Sequence, residues 1–357
     1  MKISPLQIGN LRCKIPIIQG GMGVGVSLSG LASAVAREGG VGVISGVQIG
    51  FRESDFEINT KEANIRALRK EIKRAREKSN GGILGVNLMV AMNNYEEMVE
   101  VAVEEGIDLI ISGAGLPINL PQFVNNKVTK VVPIVSSGKA ANVICKLWEK
   151  RYSYIPSLVV LEGADAGGHL GFHIDELYKN KKKSLEDLYK EVKKVLTVFE
   201  EKYNKKISIA LAGGIYSGKD IGKYLKLGAD AVQMGTRFIS TDECDANLKY
   251  KQAFINCKKE DIDIIKSPVG LPGRVIKNKF SDMVSKGKEE VHKCFNCLKG
   301  CNPKTTQYCI SKALINSVNG NTEEGIIFSG SNGYKIDKIK SVKELINELI
   351  MEVREHE

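Results

Sequence analysis

The sequence predicts an α/β protein, a (β/α)8 TIM barrel followed by a mostly helical, cysteine-containing C-terminal extension. Three observations point there: eight short apolar runs, amphipathic stretches between them, and glycine-bearing turns where many of the runs end. The runs are apolar almost throughout instead of alternating, as parallel strands covered on both faces should be. Eight strand–helix units within residues 1–243 suit the ~250 residues such a barrel needs. An open doubly wound sheet is the alternative. It calls for a glycine fingerprint after the first strand and an acidic residue about 20 positions later. "QGGMGVG" (19–25) fits only superficially, because Met22 sits inside the loop and the next strand lacks the acidic end.

Taken in order, strands are expected at 15–19, 41–45, 83–89, 108–112, 131–136, 158–162, 207–213 and 230–235. Helices are expected at 27–40, 61–79, 94–106 and 184–203, the last started by Ser184 with Asp187 three residues on. Past residue 243 the alternation stops. A helix at 244–257, a loop-rich segment at 267–280, a cysteine group at 294–309 and a final helix at 341–357 make up the extension, 244–357.

Composition is that of an ordinary globular protein, 43% apolar and 26% charged. The amino end lacks the apolar core of a signal peptide and no run approaches membrane-spanning length, so a cytoplasmic protein without membrane contact is expected. A net charge of +10 is compatible with nucleic acid, an anionic small molecule or an acidic partner. Most basic residues sit in mixed-charge helical stretches, and only 179–183 ("KNKKK") is a basic cluster. An RNA binder with a zinc knuckle would interleave rings with its basic residues. Aromatics are 6% of the chain and Phe295 is the lone phenylalanine ring inside the cysteine group, so nucleic acid is not expected.

A barrel enzyme builds its site from the carboxyl ends of its strands. Those ends carry Gly20-Gly21-Met22, Asn87, Glu162, Gly213-Gly214 and Gln233-Met234-Gly235-Thr236. Strands seven and eight form the usual phosphate corner, where glycine N–H groups approach an anion without side-chain obstruction. After strand six comes "EGADAGGHLGFH" (162–173), which places His169, one of only four histidines, in a run of glycines and alanines. Such a run is a tight turn or a place where backbone closes on a ligand while a ring reaches it. His173 is expected to be structural, and His292 and His356 lack a supporting context.

Together "QGGMG", "GVNLM", "EGADAGGHLG", "ALAGGI" and "GADAVQMGTRF" resemble the nitronate monooxygenase (2-nitropropane dioxygenase) family of FMN barrels, over roughly residues 1–280. That family includes the flavin-dependent type II enoyl-[acyl-carrier-protein] reductases. The resemblance implies FMN bound by Gly21, Met22, Asn87, Glu162, Gly167, Gly168, Gly213, Gly214, Gln233, Met234, Gly235 and Thr236, with Met22 against the flavin ring. It implies His169 as the catalytic residue facing the substrate. Two positions depart from the pattern: Glu162 replaces the glutamine common in the monooxygenases and looks more like the reductases, and Asp165 stands where glutamate is more usual.

Of eight cysteines, Cys13, Cys145, Cys244 and Cys257 stand alone and are expected to be buried thiols. Cys294, Cys297, Cys301 and Cys309 follow C-x2-C-x3-C-x7-C. Four thiolates so close can wrap an iron–sulfur cluster or a zinc ion. The rhythm is similar to the [4Fe–4S] segment of the dienoyl-CoA and enoate reductases, flavin barrels of another family, so iron–sulfur ranks first, zinc second and unliganded thiols third.

Two functions follow. The first is an FMN-dependent oxidoreductase that oxidises alkyl nitronates with dioxygen. The second is an NAD(P)H-dependent FMN enoyl reductase acting on an enoyl thioester carried by acyl carrier protein or CoA, in keeping with the positive charge. A homodimer is the oligomer expected.

Overall fold

Strands that are apolar on both faces need a sheet without solvent-facing sides. The computed structural model, which describes residues 3–124, 128–178 and 182–355, shows how this chain supplies one. A small antiparallel hairpin comes first, β1 (Leu6–Ile8) and β2 (Leu11–Cys13). The barrel strands then follow as β3 (Ile17–Gln19), β4 (Val41–Ser45), β5 (Ile83–Met89), β6 (Leu109–Gly113), β7 (Lys130–Val135) and β8 (Leu158–Glu162). A two-residue strand, β9 (Gly168–His169), lies outside the barrel, which is completed by β10 (Ser208–Ala212) and β11 (Ala231–Met234). All eight barrel pairings are parallel, and β11 closes back onto β3. Each expected strand is present, displaced by no more than two residues at either end.

The inside is filled by Ile18, Val43, Ile111, Val132, Val160 and Ala210, and Leu6, Ile8 and Cys13 of the hairpin join the same cluster. The hairpin therefore plugs the end where the strands begin, held there by Ser208 Oγ donating to Gln7 O at 2.7 Å. That leaves the opposite end open to a ligand.

Outside the barrel, a short turn, α1 (Gly23–Val26), precedes α2 (Ser29–Arg37), α3 (Thr60–Lys78), α4 (Tyr95–Glu104) and α5 (Gly138–Tyr152). After α6 (Ile174–Tyr178) come α7 (Leu185–Tyr203), α8 (Gly218–Leu227) and the single turn α9 (Thr236–Ile239). Ser184 caps α7 as expected, its Oγ accepting the Asp187 N–H at 3.1 Å. Among the described residues, no helix is long and apolar enough to cross a membrane. His356 and residues 179–181 of the basic cluster lie outside the described residues.

The extension comprises α10 (Leu248–Ile255), the hairpin β12 (Ile262–Lys266) and β13 (Pro272–Ile276), α11 (Lys279–Lys286), α12 (Ile310–Val318) and α13 (Val342–Glu355). It returns to the barrel at several places, among them a strand pairing and a helix packing. Strand β13 pairs with β9, matching Gly273 to His169 and Arg274 to Gly168. Helix α13 lies against α8 so closely that a Cβ on Gly218 would stand 2.3 Å from Leu349 O. Val342, Leu345, Ile346, Leu349 and Val353 join the core that covers the barrel's outside. Val275, Phe280, Tyr308, Ile310 and Ile326 form a smaller core of their own, which reaches Val24 of α1.

Candidate active site

The open end of the barrel holds a cavity, and every residue expected to touch cofactor or substrate lines it: Gly21, Met22, Asn87, Glu162, Gly167, Gly168, His169, Gly213, Gly214 and Gln233 to Thr236. Topology explains the convergence, since each follows or ends a parallel strand on the same side of the sheet. A Cβ on Gly21 would stand 2.3 Å from Asn87 Cβ, so the turn after β3 can pass the end of β5 only as glycine. Gln19, next to it, is not a ligand candidate. Its amide is buried and engaged with the backbone of Val43 in both directions, at 3.0 and 3.1 Å.

At the corner after β10 and β11, Gly213 and Gly214 take φ of +106° and +74°, values that favour glycine. The extension supports this corner: Asn332 Nδ2 donates to Gly214 O at 2.6 Å, and Thr236 Oγ1 accepts the Gly330 N–H at 2.9 Å. Thr236 therefore keeps its hydroxyl proton for another acceptor. The buried Oε1 of Gln233 and Oγ of Ser45 have no hydrogen-bond partner among the described residues, and both residues line the cavity. Orphaned acceptors facing an open space are what a polar ligand edge would satisfy. With the bare glycine turns, they fit FMN.

The stretch that carries His169 is set by the extension. Gly167 is needed there for a reason internal to the protein: a Cβ would stand 2.6 Å from Gly330 N and 2.7 Å from the Ser329 carbonyl carbon. Gly168 takes φ +74° with nothing within 4 Å of its missing side chain. His169 Nε2 lies 2.7 Å from Ser267 Oγ, and Phe328 meets its ring edge-on at 4.9 Å. Burial pushes the imidazole down to about 4, so the ring is neutral at neutral pH. Burial pushes Glu162 up to about 7, against the pull of the Arg274 guanidinium. Arg274 itself is buried and donates to Ala166 O. Asp165 bonds Lys182 Nζ at 2.7 Å at the rim.

Ser267, Arg274 and Phe328 come from the extension and were not singled out in the sequence. A lone arginine in the apolar run "PGRVI" was the one visible signal for any of them. His173 is exposed, and its N–H donates to Glu176 at 2.8 Å to start α6. His292 is exposed. The four lone cysteines are buried. Of the grouped ones, Cys294 is exposed, Cys297 and Cys301 are half-buried and Cys309 is buried, and Cys297 lines the cavity. Among the described residues, no group of three or more His, Cys, Asp or Glu side chains is arranged to hold a metal ion.

The family model described as "Nitronate monooxygenase" matches residues 4–352. A probable nitronate monooxygenase of Staphylococcus saprophyticus is 26% identical over 318 residues, 82% of this chain and 83% of that protein. FabK from Thermotoga maritima superposes with a TM-score of 0.71 at 26% identity, covering 95% of this chain and 93% of that one. A nitroalkane oxidase from Streptomyces ansochromogenes gives 0.73 over 96% of both chains, and at 19% identity it speaks for the fold alone.

Proposed function

The chain belongs to the nitronate monooxygenase family, and on that premise we propose that it binds FMN at the open end of the barrel and oxidises alkyl nitronates with dioxygen. The observation that carries this reading is the presence, in one cavity, of a glycine cradle, orphaned acceptors and a neutral His169. FMN, when bound, supplies the electron acceptor that no side chain here offers. Gly213, Gly214, Gly235 and Thr236 hold its phosphate through N–H and hydroxyl donors. Gln233, Ser45 and Asn87 meet its polar edges, and Glu162, Gly21, Gly167, Gly168 and Met234 complete the bed. Met22 lies against the ring.

Ser267 occupies Nε2 of His169, which leaves Nδ1 to meet the substrate. A neutral imidazole there orients a nitronate anion, or takes a proton from the carbon acid that precedes it. Val24, Met89, Val269, Leu298 and Phe328 give the same cavity an apolar wall that would keep water from a reacting carbon.

One observation favours the second reading, an NAD(P)H-dependent enoyl reductase. Glu162 stands where the monooxygenases commonly carry glutamine, and at about 7 it holds a proton near neutrality. The likeness to FabK at 26% identity supports the same reading. Its partners would be acyl carrier protein or CoA, drawn by the net charge of +10, and its oligomer a homodimer. We place either reaction in the cytoplasm. The test is an absorption spectrum of protein purified without oxygen, titrated with NADH, NADPH and a nitronate. Flavin bands that bleach only with nitronate support the oxidase, and bands that bleach with the nicotinamide support the reductase. A colourless protein overturns both.

A further inference from the structure

We propose that Arg274 is a positioning residue for His169, its guanidinium holding the Ala166 carbonyl so that the stretch 165–170 presents the imidazole to the cavity in one orientation. The proposal rests on the reading that His169 faces the substrate. Ala166, Gly167, Gly168 and His169 form one edge of the cavity wall, yet the chain there has little structure of its own. Strand β9 is two residues long, and residues 163–167 before it run without helix or strand. A segment so poor in local hydrogen bonds keeps its place only if other parts of the fold hold it.

The extension holds it at successive points. Asp165 O accepts the Ser331 N–H at 3.1 Å, Ala166 O accepts from the guanidinium of Arg274, β9 pairs with β13, and the Leu170 N–H donates to Pro272 O at 2.8 Å. The other ties in this series run between backbone groups, which nearly every residue carries. The tie on Ala166 depends on a side chain. Arg274 is also where three segments meet. Its Cα lies opposite Gly168 in the β9–β13 pairing, and its own carbonyl accepts the Ser329 N–H at 3.1 Å. Ser329 and Gly330 are the crossing against which Gly167 is pressed. One residue earlier, a Cβ on Gly273 would stand 2.9 Å from Phe328 Cε1, so β13 is bare where it passes the ring that meets His169 edge-on.

Packing alone does not call for an arginine at this place. Arg274 is 6% exposed, and a guanidinium buried to that degree is costly unless its donors are met. An apolar side chain of similar length would fill the space without that cost. What arginine adds is a permanent charge on a rigid fork, which grips a carbonyl more firmly than a neutral donor does. Glu162, at the end of β8 and on the same cavity wall, feels that charge as well. Lysine would keep the charge and lose the fork, and methionine would keep only the bulk.

The test uses the full chain with its FMN, carrying Arg274→Met or Arg274→Lys, each made alone and together with His169→Ala. Nitronate turnover is measured beside FMN content and thermal midpoint. Arg274→Met should lower kcat on the order of 10²-fold and Arg274→Lys about tenfold, with KM moved less than kcat. In the His169→Ala background neither change should lower kcat further, because the group being positioned is gone. Equal losses in both backgrounds would overturn the proposal. If Arg274→Met does not fold, Arg274→Lys carries the same comparison. A second readout needs no turnover: nuclear magnetic resonance of the chain labelled in the ring nitrogens of its four histidines. The His169 signals, identified by their loss in His169→Ala, should shift in Arg274→Lys and shift further in Arg274→Met. Signals that stay at the parent positions in both variants would overturn the proposal. A parent chain that binds FMN but turns over neither a nitronate nor an enoyl thioester with NAD(P)H sinks the functional reading, and the His169 signals then decide the role of Arg274.

Discussion

His169 and Ser267 meet at 2.7 Å, Nε2 to Oγ, across 98 residues of sequence. The serine lies in the turn between β12 and β13, and Ser267 Oγ also takes the Val269 N–H at 3.3 Å. The extension thus sets the direction of the ring that the barrel presents. Replacing His169 with alanine should leave FMN bound at parent stoichiometry and slow turnover on the order of 10²-fold or more. Ser267→Ala keeps the imidazole but frees its orientation, so a smaller loss is expected. Steady-state rates beside flavin content decide it, and a normal rate in His169→Ala would remove the residue from the chemistry.

Glu162 and His169 should pull the pH dependence of stability in opposite directions. Glu162 is raised from its ordinary 4.5 to about 7, so between those values the folded chain holds a proton that the unfolded chain releases. Its contribution is present in full below 4.5 and is lost as pH rises through about 7. His169 is lowered from 6.5 to about 4, so its contribution is present above 6.5 and is lost as pH falls through about 4. Between 4.5 and 6.5 the two contributions nearly cancel, so Glu162→Gln should unmask a rise in stability with pH that the parent chain lacks there, and leave the limb below 4.5 intact. Thermal midpoints across that range, for both chains, measure it.

The barrel was legible because each of its strands is buried on both faces, and burial of that kind writes an unbroken apolar run such as Val41–Ser45 or Leu158–Glu162. The ends of those runs then pointed to the cavity by topology alone. Three-residue strands such as Leu6–Ile8 are too short to show a period, so the plug at the barrel's closed end was missed. The strand at Gly168–His169 was invisible for another reason. Its partner, Gly273–Arg274, lies about a hundred residues on, and nothing local marks either as paired. Ser267, Arg274 and Phe328 share that fate: each acts on the site only through a long-range contact.

Gly167→Ala tests how tightly the extension is joined to the site. An added Cβ would fall 2.6 Å from Gly330 N, and backbone cannot swing aside as a side-chain tip can. The 329–330 crossing must shift, and with it the Thr236 and Asn332 hydrogen bonds that support the phosphate corner. A loss of about 1–3 kcal/mol is expected from overpacking, accompanied by weaker FMN binding. Urea unfolding and flavin titration should move together. Lost stability with unchanged FMN affinity would mean that the crossing and the corner are independent.

Gln233 yields the sharpest test of the flavin bed, because two effects of one substitution should carry opposite signs. Its buried Oε1 has no partner among the described residues, and leaving such an atom without one costs about 1–3 kcal/mol. A ligand that donates a proton there removes the cost on binding. Gln233→Leu should therefore stabilise the flavin-free protein or leave it unchanged, since the orphan is gone. The same change should weaken FMN binding by about tenfold for each 1.4 kcal/mol that the hydrogen bond to Oε1 contributes. If Gln233→Leu binds FMN as tightly as the parent, the orphaned oxygen does not face the flavin. If it destabilises the flavin-free chain instead, Gln233 is held by its neighbours within the protein and serves the barrel, not the cofactor.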